Sequence, residues 1–377
     1  MAFHPFEMER WQSTWENRVR FNLSESGVHP LTAAELIALA GAGTDVLDRR
    51  LGYPQSNGTE PLRAAIAALY PGATVDHVLV TSGSAESNYV NCWTLIRPGD
   101  RVVAVAPTYM QTPGLARTFG AQVETIPLRE ELAWQPDPAE IDDAIAPGTR
   151  LVAVTNPNNP TGAILAPALM DRIVARADAV GAWILADEVY QGAERAGGRP
   201  TPSFWGRSER VIVTNGLSKA YGLPGLRIGW CVATADHVAA LWARKDYTTI
   251  GPTVMSDALA TLAVQPAVRP KIFERTRGII RANWAVLERW LAGQDGAFTW
   301  RAPDAGAICW VRYDKAVESS ELAELLRREE DVLIVPGEQF GLEGYMRLGF
   351  GSPAQELEEA LTRIADGYRR AGGGALV

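Results

Sequence analysis

From residue 60 to residue 216 the chain alternates short runs of valine, isoleucine and leucine with longer helix-patterned segments. No other feature constrains its fold as strongly. PLRAAIAALY reads as a helix, HVLVT as a short buried strand and SAESNYVNCWTLI as a helix again. The rhythm continues through RVVAVAP, TPGLARTFG, AQVETIPL, RLVAVTNP, ALMDRIVARADAVG, AWILADE and RVIVTN. Apolar runs without a polar face need cover on both sides, and the intervening helices supply it. The expectation is an α/β fold with a mostly parallel sheet.

Beyond GWCVATADHVAALWARKDY the chain turns strongly helical. The pattern predicts helices around 273–292 and 319–328, with short strands near 308–312, 332–335 and 345–350. Near the start, LTAAELIALAGAG reads as a short helix stopped by glycine. The chain is therefore expected to divide into a large domain, 45–265, and a small α+β domain made of 1–44 and 266–377. The glycine-rich tail AGGGALV is expected to be disordered.

A net charge of −8 argues against a nucleic-acid partner, because the basic field that attracts phosphates is missing. Cys92, Cys231 and Cys309 have no CxxC spacing and no neighbouring histidines, so they are expected to be buried, reduced thiols, with no metal site. The opening MAFHPFEMERWQ lacks the pattern of a signal peptide, and no apolar run approaches the roughly 20 residues that span a bilayer. A soluble, cytoplasmic protein without membrane contact is expected.

In parallel sheets, ligands gather beyond the carboxyl ends of the strands. The chemically unusual residues of this sequence follow its strand-like runs. SGSAES after HVLVT can open a helix with free N–H groups, an anion site at Ser84 and Ala85. Tyr109 follows RVVAVAP, the turn NPNNPTG with Asn159 follows RLVAVT, and Asp187 and Tyr190 follow AWILA. Ser218, Lys219 and Arg227 follow RVIVTN. Lysine is scarce: of 36 lysines and arginines together, only Lys219, Lys245, Lys271 and Lys315 are lysines. An amine at 219 therefore reads as a chemical choice. A phosphorylated pyridine aldehyde would use the whole set: a lysine for a Schiff base, an acid for the ring nitrogen, and cations with N–H groups for the phosphate.

Taken in order, Tyr53, SGSA, PTY, NPNNPTG, DEVY, LSKAYGLPGLRIGW and YMRLGFG resemble the class I/II aminotransferases, fold-type I enzymes that use pyridoxal 5′-phosphate. The resemblance spans nearly the whole chain. It implies a large domain with a mostly parallel seven-stranded sheet, a small α+β C-terminal domain and a homodimer with shared active sites. It also implies that Lys219 is the Schiff-base lysine and proton carrier, Asp187 the partner of the ring nitrogen, and Asn159 and Tyr190 the partners of the ring's phenolic oxygen. Tyr109 would stack on the ring. Ser84, Ala85, Ser218 and Arg227 would hold the phosphate, with Tyr53 reaching it from a neighbouring subunit. Arg347 would bind the substrate carboxylate as a two-pronged fork. Thr248 and Thr249 would lie at the subunit interface. The family carries a hydroxyl residue three positions before the lysine. Here that position is Gly216, so the contact is missing or is replaced by Thr214 or water.

The N-terminal MERW and LSESGVH, with TPGLARTFGA, IPLREE and KDYTT, resemble more narrowly the capreomycidine synthase-like cyclases of guanidino amino acids. That likeness implies Glu9 on a cationic side chain, His29 as general acid, and Ser26 and Gly27 near the substrate carboxylate. Glu25 reads either as a locally satisfied carboxylate or as a substrate contact. Trp11 and Trp15, one helical turn apart, read as core or as cover for the site entrance. Most of the 12 tryptophans are expected in the core. The reaction stays open between transamination of an L-α-amino acid and elimination with cyclisation. Alternatives are γ-elimination or replacement on a sulfonium amino acid, and a non-catalytic regulator that binds the same cofactor.

Overall fold

The computed structural model describes residues 3–313 and 317–372. Most of the glycine-rich tail lies outside the described residues. One large sheet dominates. In chain order its strands are β1 (Val78–Thr81), β2 (Arg101–Ala106), β3 (Gln122–Arg129), β4 (Gln135–Pro136), β5 (Thr149–Thr155), β6 (Trp183–Asp187), β7 (Val211–Gly216) and β8 (Gly229–Val232). They lie in the order β1-β8-β7-β6-β5-β2-β3-β4. Pairing is parallel from β7 through β6, β5 and β2 to β3. Strand β8 runs antiparallel to both of its neighbours, and β4 to β3.

The sheet thus has seven main strands and a two-residue eighth at the β3 edge, one strand more than the resemblance implied. GWCV, which the helical text around it obscured, is the antiparallel strand β8. Strands β1, β7 and β8 are buried along their whole length, because helices cover both faces.

A second sheet, wholly antiparallel, is built from β9 (Phe298–Trp300), β10 (Ile308–Tyr313), β11 (Val335–Pro336) and β12 (Tyr345–Gly349), in the order β9-β10-β12-β11. The run expected as one strand at 332–335 divides between two partners. Val332 and Leu333 pair in parallel with Phe21 and Asn22, while β11 pairs with β12. That parallel pair fastens the N-terminal segment to the C-terminal third. Two helices here have sharply one-sided patterns: Arg269–Ala292 buries Ile272, Phe273, Thr276, Ile280, Trp284, Leu287 and Leu291, and Ala354–Arg370 buries Leu357, Leu361, Ile364 and Tyr368. Four of the tryptophans are fully buried (Trp134, Trp230, Trp284 and Trp310) and the other eight are half-buried, so most pack at the margin of the core.

All three cysteines are buried and free, and burial pushes the thiols of Cys92 and Cys231 up to about 12. Among the described residues no helix is long and apolar enough to cross a membrane, and no cluster of side chains is suited to a metal ion.

One buried ion pair ties the loop after β6 to the long helix. Arg277 (7% exposed side chain) meets Glu194 (4%), and its Nη1 also donates to the Gly198 carbonyl at 3.0 Å. Glu194 in turn accepts the N–H groups of Gly192 and Thr201 at 2.9 and 2.7 Å. Arg277→Met leaves a buried carboxylate without its cation. It is expected to cost about 3 kcal/mol or more in denaturant unfolding, with part of the loss recovered in Glu194→Gln/Arg277→Met. Equal stability of parent and single variant would show that the pair contributes nothing.

Candidate active site

Every parallel strand of the large sheet ends at the same edge, and a cavity of about 390 Å³ opens there. It is lined by Ser84, Ala85, Tyr109, Asn159, Asp187, Tyr190, Ser218, Lys219, Arg227 and Arg347, together with Glu9, Glu16, Glu25 and Ser26 from the N-terminal segment. Of the catalytic, cofactor and substrate residues expected from the sequence, Gly27, His29 and Tyr53 are not among its lining.

Asp187 closes β6. Burial pushes its carboxyl up to about 6, against a hydrogen bond from Asn88 at 3.1 Å and one from the Val189 N–H at 3.3 Å. The Asn88 amide is itself oriented by Thr214, whose hydroxyl donates to its oxygen at 3.0 Å. Thr214 is thereby committed to Asn88 and does not stand in for a hydroxyl at 216. Position 216 has little room for a side chain: a Cβ there would lie 3.1 Å from the Ile228 carbonyl and 3.2 Å from the Gly229 Cα. Asn88 went unnoticed in the sequence, although it lies one helical turn after Ser84 on the same helix.

The anion site is built from close backbone approach. The helix Gly83–Leu95 starts at the end of β1, and a Cβ on Gly229 would lie 2.3 Å from the Ser84 N–H nitrogen. A Cβ on Gly83, whose φ is +76°, would lie 2.4 Å from the Arg227 Nη2. Glycine is therefore required at both places. Arg227 donates to the Ser218 hydroxyl at 3.4 Å. Free N–H groups, two hydroxyls and a guanidinium converge on one small space, which suits a phosphate.

Lys219 donates to Glu25 at 2.7 Å. Burial alone would raise the Glu25 carboxyl. The Lys219 charge and hydrogen bond, with the N–H groups of Gly27 and Ser26, overcome that and hold it at about 2. Burial would lower the lysine, but the Glu25 charge raises it above its ordinary value. The loop can press this close because residue 27 is glycine: a Cβ there would lie 3.2 Å from the Ser218 carbonyl and 3.7 Å from the lysine Cδ. Tyr190 donates to the Ser26 hydroxyl at 2.9 Å, binding the same loop to the segment after β6.

Arg347 on β12 is 1% exposed. Its Nη1 donates to Asn159 at 2.8 Å, its Nη2 to the Ser24 carbonyl, and its buried Nε has no partner. Gln12 shares the Ser24 carbonyl at 2.7 Å. Residues Met8, Glu9, Gln12 and Glu16, from the helix Glu7–Trp15 and its C-cap, form the opposite wall. Glu9 accepts the Tyr109 hydroxyl at 2.8 Å, while Phe6 packs edge-on against the Tyr109 ring at 5.0 Å. Glu16 makes no ion pair or hydrogen bond through its carboxylate among the described residues. Burial and the nearby charges of Glu25 and Glu9 raise its carboxyl. Neither Glu16 nor its role was legible in the sequence.

Trp11 and Trp15 do not cover the entrance. They fix the helix to the C-terminal third, Trp11 by donating to the Ile334 carbonyl at 2.9 Å and Trp15 beneath the Arg327 guanidinium at 3.8 Å. His29 is not among the cavity lining, and its Nδ1 lies 3.1 Å from the Gly351 carbonyl. Tyr53 is 95% exposed and contributes nothing to the cavity of its own chain.

The family model "Aminotransferase class I and II" matches residues 30–364. The chain belongs to this family. It is 36% identical over 371 residues to capreomycidine synthase of Streptomyces vinaceus, covering 95% of this chain and 92% of that protein. Among solved structures it resembles a PLP-dependent aminotransferase from Streptococcus suis 89-1591 with a TM-score of 0.91, 32% identity and coverage of 98% and 99% of the two chains. It also resembles the PLP-dependent cyclase OrfR with a TM-score of 0.87, 28% identity and coverage of 98% of each chain. The family thus holds both aminotransferases and cyclases, and the fold found here is that of this enzyme family.

Glu188, next to Asp187, is 1% exposed. Burial pushes its carboxyl up to about 8, although Phe204 N–H and the Ser203 hydroxyl donate to it. Its folded value lies above the unfolded one, so the native chain holds an extra proton between roughly pH 4.5 and 8. Its contribution to stability is complete below that window and is lost as pH rises through it, on the order of 1 kcal/mol per pH unit. Glu188→Gln should flatten the fall in unfolding free energy between about pH 6.5 and 8. An unchanged slope would mean that Glu188 is already ionised in the native protein.

Proposed function

We infer that this chain is a pyridoxal 5′-phosphate enzyme acting on an L-α-amino acid with a cationic, guanidino-type side chain. It eliminates a side-chain leaving group and cyclises the product. The observation that supports this best is the cavity wall on which Glu9, Glu16 and Glu25 gather, in the same cavity as Arg347 with its unpartnered Nε. The α-carboxylate belongs on Arg347, whose planar fork fits it. A guanidinium belongs among the carboxylates, where Glu16 lacks a partner. The 36% identity to capreomycidine synthase favours the same reading. Transamination is the second reading, favoured by the likeness to the Streptococcus suis aminotransferase.

Bound in this site, the cofactor would withdraw electrons from the substrate Cα and make its proton acidic. Ser84, Ala85, Ser218 and Arg227 would hold the phosphate, Asp187 the ring nitrogen, and Asn159 and Tyr190 the phenolic oxygen, with Tyr109 against the ring. Lys219 Nζ would supply the covalent attachment to the cofactor and, when free of it, would carry the Cα proton. Either as that attachment or as the neutral base, Lys219 would not offer Glu25 a full ammonium partner. Glu25, still held by the Ser26 and Gly27 N–H groups, would then keep a charge that a cationic side chain offsets.

The reading includes a homodimer. Tyr53 and Tyr247 stand 95% and 84% exposed, with Leu51, Leu47 and Ile250 also exposed, as a subunit interface would require of a separate chain. A tyrosine at 53 then serves the partner's phosphate site.

Lys219→Ala is expected to lose the visible band that borohydride abolishes in the reconstituted parent. A reducible band in the variant would place the attachment elsewhere. The reaction is tested by mass spectrometry on the loaded enzyme, offered arginine, β-hydroxyarginine, neutral amino acids and S-adenosylmethionine, each with and without 2-oxoglutarate. The expected result is a product lighter by one water from β-hydroxyarginine, without any keto acid. Glutamate formed only with the keto acid would replace this reading with transamination. Glu16→Gln and Glu9→Ala are each expected to raise KM for the guanidino substrate about tenfold, roughly the worth of one charge-assisted contact, while leaving a neutral amino acid within twofold.

A further inference from the structure

The helix terminus assigned to the cofactor phosphate contains an acid. Glu86 lies in the first turn of Gly83–Leu95, directly after Ser84 and Ala85, and is 8% exposed. One of its oxygens accepts the Ser82 N–H at 2.6 Å, which fixes the backbone just before the anion site. The other accepts the N–H of Thr249 at 3.2 Å, its hydroxyl at 2.7 Å, and the hydroxyl of Thr248. Four donors on two oxygens, and the lysine discussed next, keep this carboxylate ionised despite its burial. An ionised carboxylate in the turn that must accept a phosphate dianion opposes binding, and more strongly in a poorly solvated place than in water.

The compensating charge is Lys245, the last residue of the helix Ala235–Lys245 and fully buried. It makes no direct ion pair among the described residues. Its Nζ instead donates to the Ile250 carbonyl at 2.6 Å, the Ser56 carbonyl at 3.2 Å and the Thr249 hydroxyl at 3.4 Å. Thr249 therefore stands between the two charges, accepting from Lys245 and donating to Glu86. The backbone around this relay is forced into shape. Ile250 has φ of +62°, a conformation that a β-branched residue rarely adopts, and Gly251 passes so close to Ser56 that a Cβ would lie 3.2 Å from its Cα. Trp242 fastens the same loop by donating to the Ser56 hydroxyl at 2.7 Å. A lysine completely buried on two carbonyls and a hydroxyl needs a reason for its burial.

We propose that Lys245 is a positioning residue for the phosphate end of the cofactor, acting through Thr249 to neutralise Glu86 so that the helix terminus at Ser84 and Ala85 can take a dianion. The inference rests on the pyridoxal phosphate reading above. Lys245 touches neither cofactor nor substrate. It fixes the turn 248–250 against Glu86 and, through Ser56, the loop that carries Tyr53.

Pyridoxal, which lacks the phosphate, separates this role from a merely structural one. The full-length protein is stripped of cofactor and titrated with pyridoxal 5′-phosphate and, separately, with pyridoxal, each followed by visible absorbance. Lys245→Met should raise the Kd for the phosphate form at least tenfold and leave that for pyridoxal within twofold. Adding Glu86→Gln to Lys245→Met should restore most of the lost affinity, because it removes the charge that the lysine balanced. Equal weakening of both ligands, or an unchanged Kd for the phosphate form, overturns the proposal. Should Lys245→Met fail to fold, Glu86→Gln alone decides. The phosphate form is expected to bind as tightly as in the parent or more tightly, and a tenfold loss of its affinity overturns the proposal. A parent protein that takes up neither ligand removes the cofactor reading itself.

Discussion

A carboxylate buried at the end of a parallel strand has to be compensated, and the compensation of Asp187 organises much of this molecule. Its partner Asn88 comes from the helix after β1, and the partner of Asn88, Thr214, comes from β7. Three elements far apart in sequence are thus held in register by one short chain of hydrogen bonds. These bonds do not fully offset burial, which still pushes the carboxyl up. A cationic or N–H-bearing ring nitrogen would supply the missing partner. The fold holds the acid where its burial makes it a strong selector for such a ligand.

The N-terminal 27 residues do different work. They contribute little to the sheets beyond the short pairing of Phe21–Asn22, yet they supply a whole wall of the cavity. Their placement depends on long-range bonds: Gln12 and Arg347 meet at the Ser24 carbonyl, Tyr190 meets Ser26, and Lys219 meets Glu25. Each of these joins the wall to a residue proposed to hold the cofactor or the substrate carboxylate. Loss of order in this segment would therefore disturb the chemistry as well as the fit of the substrate.

The large sheet and the residues that follow its strands were legible because both obey local rules. Apolar runs of four to eight residues mark the strands, and a ligand edge lies where they end. Lys219, Asp187, Tyr190, Asn159 and Arg227, each following a strand-like run, line one cavity. That reasoning failed where position depends on tertiary contacts. Glu16 sits just past the end of an exposed-looking helix, and nothing in its neighbourhood announces a carboxylate facing the cavity. Glu25 is 194 residues from the lysine it meets. Asn88 was within reach, being one turn from Ser84, but an asparagine inside a helix gives no signal until its partner strand is known. GWCV was hidden because an antiparallel strand inserted into a parallel sheet breaks the alternation that identified the others.

Charge balance connects these parts. The cavity is lined by the carboxylates of Glu9, Glu16, Glu25 and Asp187, against the cations Lys219, Arg227 and Arg347. Under the proposed function each cation has an occupant: the cofactor's carbonyl carbon for the lysine, its phosphate for Arg227 and the substrate carboxylate for Arg347. Asp187 is matched by the ring nitrogen. The remaining acids are then in excess. A neutral amino acid would leave that excess buried beneath it, whereas a guanidinium would spread its positive charge across several carboxylate oxygens through planar donors. Raised proton affinity at Glu16 is the sign of this imbalance in the free chain, because repulsion from Glu25 and Glu9 adds to the effect of burial. Under the proposed function, selectivity for a cationic side chain would follow from the excess of carboxylates that the cofactor and the substrate's α-carboxylate leave unmatched.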